Sequence, residues 1–475
     1  MVVLRRHVST RFLESGGGSS STIRLLLLAL LASTLPPVVP SSMAKTDNAG
    51  SLEREAGEAY QKAEYERVLK LWQAQAPEAT PSKPFLRLAI QSALKLGHAD
   101  EAIALYDKLI PSDKPDDLPL LRAVSLSVLT AQVRDPKEYV RIAAYTALAE
   151  SALPDQQSVF EDGLLDSSPV VRARAVEGLA HAGLAGRSGP LRRALQDDVP
   201  PVRIAVMNAL SDAKVGEIVP RLIQVARTED GPEAVFAYAA LFKLGKSDML
   251  TDINGAATLP DPESRMAAMG VLGRLKRPAS LAVLSQGVYD PEPSVRAFAA
   301  GALGEFGQPG AVAPLTHALG DEDARVRGVA AASLGWLGIA DNRPLLQALT
   351  RDASMQVRAS AVEGLLRLGD TSAVLIATDL ARHPDPAIRA AAAQALGAAS
   401  DKQVLGILQT LLQDQQPQPR LFAAKALGKI SAPVLPLLKK ALHDTDTAVR
   451  LTAAGSLLQH IDRQAKSSSR HGRKG

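Results

Sequence analysis

Eleven positions recur along this chain at a spacing of 31 residues: Arg141, Arg172, Arg203, Ala234, Arg265, Arg296, Arg327, Arg358, Arg389, Arg420 and, one residue early, Arg450. Ten of them are arginine. Six residues before eight of those arginines stands an aspartate: Asp135, Asp166, Asp197, Asp290, Asp321, Asp352, Asp414 and Asp444. Seven residues after them come leucines, as at Leu303, Leu334 and Leu396. A fixed period of this length marks an array of identical small units stacked in a row, each burying its apolar face against its neighbours. The expected architecture is an all-α solenoid of about eleven helical hairpins, because 46% of the chain is hydrophobic but only 4% aromatic, which suits closely stacked helices with Ala, Leu and Val between them.

Within a unit the pattern is an apolar helix, a turn and a second helix rich in small residues. Ala311 to Leu319, the turn Gly320 to Ala324 and Arg325 to Gly335 illustrate it. In the second helix the apolar residues fall one before the arginine and three, six and seven after it (Val295, Ala299, Ala302, Leu303), which places them on one face. Glycines such as Gly273, Gly304, Gly338, Gly369 and Gly428 are read as helix ends that need positive φ. With layers about 10 Å apart, eleven units make an arc on the order of 100 Å long.

These units resemble HEAT-like repeats of the kind named after phycobilisome lyases. The resemblance covers 125–461 and implies a superhelical scaffold whose arginine bonds to the aspartate or turn carbonyls of an adjacent unit. It also admits a phycobilin-lyase-like or other cofactor-handling enzyme as an alternative. Upstream, Gly97 to Tyr106 matches Ala63 to Trp72 at an offset of 34 residues, aligning Ala63 with Gly97, Val68 with Ala102 and Trp72 with Tyr106. This segment, 45–124, resembles tetratricopeptide repeats, though Ala63 takes the place of the turn glycine. It is expected to cap the larger array.

The termini differ in kind from the body. A basic stretch, the apolar run Leu25 to Leu31 and the segment ending Ser42-Met43-Ala44 read as a signal peptide over 1–44. That reading sends the chain to an exported, periplasmic location in a bacterium. The net charge is +4, but the first 44 residues contribute +3 and the tail from Arg463 onward +5, so the body between them carries about −4. A negative body has little attraction for phosphate backbones, and each ladder arginine comes with its own aspartate. Nucleic-acid binding through the arginine ladder is therefore a second alternative, disfavoured by charge. The tail 462–475 is read as basic and disordered, and membrane contact is restricted to it and the signal segment.

No catalytic motif emerges. There is no cysteine, which excludes disulfides, thiolate nucleophiles and zinc-thiolate sites. Gly245-Lys246-Ser247 imitates the end of a P-loop, but Ala240 stands where the first glycine belongs. The histidines His98, His181, His317, His383 and His443 are isolated, and the histidine-glutamate pairs by which HEAT-like deoxyhypusine hydroxylases hold iron are missing. No cofactor, metal or catalytic residue is expected. The reading is a non-enzymatic scaffold that binds a protein or peptide on its concave face.

Positions two, five and nine after each arginine point away from the core. Five after, the central units carry Ala239, Gly270, Gly301 and Ala332, all tiny. Two after, they carry Phe236, Phe298 and Val329. Nine after, they carry Lys243, Arg274 and Trp336. Aromatic side chains beside missing neighbours suit an apolar groove for a partner, with close packing between repeats as the competing explanation. One unit breaks the ladder, having Thr228 and Ala234 in place of both charged residues, and Phe236, Tyr238 and Phe242 gather there.

Overall fold

The computed structural model describes residues 41–75, 82–111, 114–399 and 403–471, with side chains placed from Gly50 to Lys466 within those ranges. Among the described residues the regular structure is entirely helical. Four N-terminal helices come first: α1 (Ser41–Gln61), α2 (Tyr65–Gln73), α3 (Lys83–Leu96) and α4 (Ala99–Leu109). The signal reading for 1–44 lies almost wholly outside the described residues.

Eleven hairpins follow, each a first helix and a second. They begin with α5 (Leu118–Thr130) and α6 (Glu138–Ser151), α7 (Gln157–Gly163) and α8 (Pro169–His181), then α9 (Gly189–Arg193) and α10 (Pro200–Asp212). Next stand α11 (Val219–Thr228) and α12 (Pro232–Lys243), α13 (Met249–Ala256) and α14 (Pro262–Leu275), α15 (Leu281–Gly287) and α16 (Pro293–Phe306), α17 (Val312–Ala318) and α18 (Ala324–Trp336). The array ends with α19 (Arg343–Leu349) and α20 (Met355–Arg367), α21 (Ala373–Leu380) and α22 (Pro386–Leu396), α23 (Val404–Leu411) and α24 (Pro417–Lys429), α25 (Leu435–Ala441) and α26 (Thr447–His471). Proline in the first turn of most second helices supplies a preset φ where no N–H is needed.

Each second helix packs on the next, from α6 on α8 through to α24 on α26. The succession does not stop there. α26 packs on both α6 and α5, so the last unit meets the first and the solenoid closes into a ring. The expected arc has become a circumference. The first helices form no comparable chain of contacts with one another, which puts them on the outer circle and the second helices on the inner one.

Small residues set the inner spacing. An added Cβ at Gly304 would lie 2.6 Å from Ser333 Oγ, and one at Gly335 would lie 2.4 Å from the Gly364 Cα. Gly273 and Gly428 are likewise pressed against Ala302 and Ser456. Of the five glycines read as positive-φ helix ends, only Gly338 (φ 68°) and Gly369 (φ 75°) are such. The other three lie inside helices, where they let the neighbouring backbone approach.

The arginine ladder runs between units. Arg296 donates from Nε and Nη2 to the Asp321 carboxylate at 2.7 and 2.9 Å, and from Nη1 to the carbonyl of Asp290 at 3.1 Å. Asp321 also accepts the N–H of Asp323 at 2.9 Å, which shapes its own turn. One carboxylate thus fixes a turn and receives the preceding unit's guanidinium by a two-pronged bond. The same bonds join Arg141 to Asp166, Arg172 to Asp197, Arg265 to Asp290, Arg327 to Asp352, Arg389 to Asp414 and Arg420 to Asp444. Burial pushes the Asp321 carboxyl up, but these donors and the Arg296 charge bring it below its ordinary value. In Asp352 and Asp414 the arginine hydrogen bond is itself the largest influence and lowers the carboxyl.

Three rungs depart from the rule. Because pairs span units, the residues lost together at the interruption are Ala234 and Leu259 rather than Ala234 and Thr228. Arg203, facing Thr228, is instead held by Glu233 at 2.6 Å, and Glu233 is buried. For Arg358 the position 25 residues on is His383 and not an aspartate, and the guanidinium donates to its own unit's Asp352 carbonyl at 2.6 Å.

The ring's seam uses different chemistry. Within the array the eighth residue after one arginine meets the sixth of the next unit, as Gly304 meets Ser333 and Gly428 meets Ser456. Across the seam Gly455, fifth after Arg450, meets Ala147, sixth after Arg141, at 3.0 Å from an added Cβ. The helices are therefore offset by about 4–5 Å, close to one turn, relative to the joints marked by Gly273, Gly304, Gly335, Gly397 and Gly428. Arg450 accordingly pairs with Asp100 of α4 and not with Asp135.

The N-terminal helices straddle this joint. Lys439 reaches Asp116 at 2.7 Å, His443 reaches Asp107 at 2.8 Å, and Arg122 of α5 binds Asp462 at 3.1 Å. The segment expected to cap an open end acts as a strap across a closed one. α26 also continues through 462–471, where a disordered tail was expected.

Candidate functional site

An inner circle of eleven helices at 8–10 Å separations has a diameter of about 30 Å between helix axes, leaving a lumen about 20 Å across. Its wall is the face carried by positions two before and two, five and nine after each ladder position, which fall within one stripe of a helix. α26 demonstrates the orientation. Leu451, Ala453, Ala454, Leu457, Leu458, His460 and Ile461 are buried, and between 451 and 461 only Thr452 and Gln459, the second and ninth positions, keep any exposure.

The predicted groove residues lie on this wall with unequal exposure. Phe298 is 53% exposed and Trp336 62% exposed, which is unusual for side chains of their size in a chain with so few aromatics. The Arg367 guanidinium stacks on Trp336 at 3.6 Å from the ring centroid, and Glu363 holds that arginine at 2.7 Å. Phe236 is half-buried, with Arg274 at 5.6 Å from its ring. Arg274 crosses the bare backbone of Gly270, where an added Cβ would lie 3.8 Å from its Nη1. Gly301 is similarly open, meeting only Val329 at 3.6 Å. Val329 and Ala332 are partly exposed.

Two groove residues do not serve an open surface. Ala239 is 1% exposed and belongs to the packed core. Lys243 is tied to Asp212 at 2.7 Å. The aromatic gathering near Ala234 also separates, since the Tyr238 hydroxyl donates to the Ala226 carbonyl on the outer helix at 3.2 Å. Phe242 faces Arg277 at 5.2 Å.

Sequence reasoning missed the row two residues before the arginine. Tyr139 is 59% exposed and Val170 43% exposed there, on adjacent helices. Helical spacing carried one turn toward the N-terminus would have found them. It also missed the basic corner formed around Lys429, because the residues concerned are brought together by ring closure. Lys425 of α24 binds Glu150 of α6 at 2.7 Å across the seam, and Arg463 of α26 donates to the last carbonyls of α24, those of Gly428 and Lys429. Partial shielding from water, helped by the Lys425 charge, lowers the Lys429 ammonium although the residue keeps an open flank, and burial lowers Arg463.

Nothing in this wall assembles a nucleophile with a base. Among the described residues no group of three or more His, Asp or Glu side chains could hold a metal ion. No described helix is long and apolar enough to cross a membrane.

The fold and the wall together define an α-solenoid closed into a ring. The chain carries HEAT repeats: residues 282–344, 342–420 and 404–468 match the HEAT-repeat family, and 152–178 match the HEAT repeat associated with sister chromatid cohesion. Among solved structures it is similar to the complex of CpcE and CpcF of phycocyanin lyase from Nostoc, with 24% identity, 44% of this chain and 94% of that one covered, and a TM-score of 0.35. Human deoxyhypusine hydroxylase in complex with glycerol is 20% identical over 53% of this chain and 99% of that one, with a TM-score of 0.29. Kap121p bound to Pho4p is 15% identical over 77% of this chain and 51% of that one, with a TM-score of 0.34. No curated protein matches the sequence.

Proposed function

We propose that this protein is a non-catalytic scaffold, exported to the periplasm, that holds a polypeptide segment of a protein partner in the lumen of its ring. The observation that carries the reading is the exposure of Phe298 and Trp336 on the inner wall beside the small residues Gly270, Gly301 and Ala332. Large aromatics left open in a concave, partly desolvated place are the kind of anchor that dominates binding energy at interfaces. A lumen about 20 Å wide admits an extended chain or one α-helix, whose diameter is about 10–12 Å. The apolar leader over 1–44 supports export, and the negative body argues for a protein partner over nucleic acid.

The test is capture from a periplasmic fraction by the mature protein and by a variant carrying Phe298→Ser and Trp336→Ser. Both side chains are more than half exposed, so the variant is expected to keep its helical circular dichroism and lose the captured proteins. Recovery of the same proteins with both forms would sink the lumen reading. Loss of folding in the variant would instead assign these aromatics to packing.

A further inference from the structure

The charges of the wall say what the segment in the lumen should look like. At the ninth position after the arginine, Lys243 is neutralised by Asp212 and Arg367 by Glu363. Lys429, at the same level on α24, has no carboxylate within ion-pair distance among the described residues, and neither has Arg463 beside it. Lys429 lies in the field of Lys425 and Arg367, with Glu363 and Glu150 as the nearby acids. Four cations therefore share this corner with two carboxylates. Arg463 is used to close the end of α24, whereas Lys429 makes no bond that the end of the helix requires, and it is exposed.

This corner adjoins the aromatic part of the wall. Trp336 on α18 lies under Arg367 on α20, and Arg367 is within the electrostatic reach of Lys429 on α24. Farther round, half-buried Phe236 lies 5.6 Å from Arg274, again an aromatic ring beside an arginine. Glu305, exposed between them, is the one acid at this level of the α14–α24 wall outside a pair.

We infer that the wall from α16 to α24 binds an acidic peptide segment bearing aromatic side chains, its rings on Phe298 and Trp336 and its carboxylates against Lys429. This rests on the lumen reading above and adds the chemistry of the occupant. A carboxylate placed there would meet the one ammonium of this corner that no acid already holds, an attraction that salt should screen.

The experiment is fluorescence anisotropy with two labelled peptides, glutamate with interspersed tryptophans and lysine with the same tryptophans, against the full chain lacking its leader. Binding of the glutamate peptide is expected to exceed that of the lysine peptide at least tenfold at low salt and to weaken as salt rises. Lys429→Glu should weaken the glutamate peptide about tenfold, Lys429→Arg should leave it unchanged, and Trp336→Ser should weaken both peptides. Equal binding of the two peptides, each lost in Trp336→Ser, would overturn the acidic preference and leave lumen capture standing. Glutamate-peptide binding indifferent to Lys429→Glu and Trp336→Ser would place the site elsewhere and overturn the inference. If neither peptide binds while capture of periplasmic proteins still depends on Phe298 and Trp336, the acidic chemistry alone is refuted.

Discussion

Ring closure can be tested by a covalent bond that only a closed ring permits. The chain has no cysteine, so a pair placed at Ala147 and Gly455 would be its only thiols. A Cβ at Gly455 lies 3.0 Å from the Ala147 Cβ, a little shorter than the roughly 3.5–4.5 Å span of a disulfide, and a shift of about half an ångström between α6 and α26 suffices. The bond would close a loop of roughly 300 residues, worth about 5–6 kcal/mol in the chain-entropy model before strain is subtracted. Mild oxidation of the double variant Ala147→Cys, Gly455→Cys should abolish both titratable thiols. The product should migrate anomalously on a non-reducing denaturing gel and revert with reductant. In an open arc the two positions would be tens of ångströms apart. Thiols that remain titratable in a protein with full helical circular dichroism would refute the ring, and with it the lumen.

Other consequences follow from the ladder and the turns. Arg327→Ala would leave Asp352 without its partner in a site where the two side chains are 17% and 9% exposed, at a cost of about 2–3 kcal/mol in urea unfolding, between the values for surface and buried pairs. Since Arg327 holds the Asp352 carboxyl below its unfolded value, the contribution of that rung is present above about pH 4 and is lost as pH falls through the folded-state value. The variant should therefore lose stability less steeply on acidification than the parent. Glu233→Ala should cost as much as a ladder aspartate although it stands outside the motif, because it strands Arg203; an effect under about 0.5 kcal/mol would refute the substitution of roles. Ala63 adopts φ 60° where its counterpart Gly97 has φ 74°, so Ala63→Gly should slow hydrogen exchange in the helix that follows, by up to about 1 kcal/mol, while Gly97→Ala should hasten it in α4.

The repeating part of the fold was legible because periodicity reports local and nearest-neighbour physics. The unit, its two helices, the buried face and the partnership of arginine with aspartate all lie within one step of 31 residues. The direction of that partnership was less accessible, since an aspartate six residues upstream and one 25 residues downstream are equally present in a regular repeat. Only at the irregular rungs does sequence discriminate. Leu259, Thr228 and His383 say which arginine lacks which acid once the pairing is taken across units, and Glu233 is the compensation that the motif does not contain. The candidate wall was less legible: helical spacing names a stripe on which Phe298 and Trp336 are exposed, but Ala239 is too deeply packed to line it, and Lys429, Lys425 and Glu150 share a corner only because the chain's two ends meet.

Closure was written in the sequence by what the last unit lacks. The final helix of an open solenoid needs a polar flank, because no neighbour covers it. Leu451 to Ile461 is apolar or small almost all the way round, a pattern that requires burial on every side. The geometry of the units explains why eleven suffice. Closing in eleven steps needs a turn of about 33° at each joint; with the outer helices about 10 Å farther from the centre, their spacing must exceed the inner spacing by about 6 Å, giving about 15 Å. That is beyond close packing distance, in keeping with outer helices that pack far more on their own partners than on each other. The inner spacing depends on glycine, alanine and serine at the contacts, and the outer helices are mostly short, so curvature is a property of every unit. The seam then has only to lock a circle already formed, which is why it can do so out of register, with Asp100, Asp107 and Asp116 of the N-terminal segment replacing the ladder.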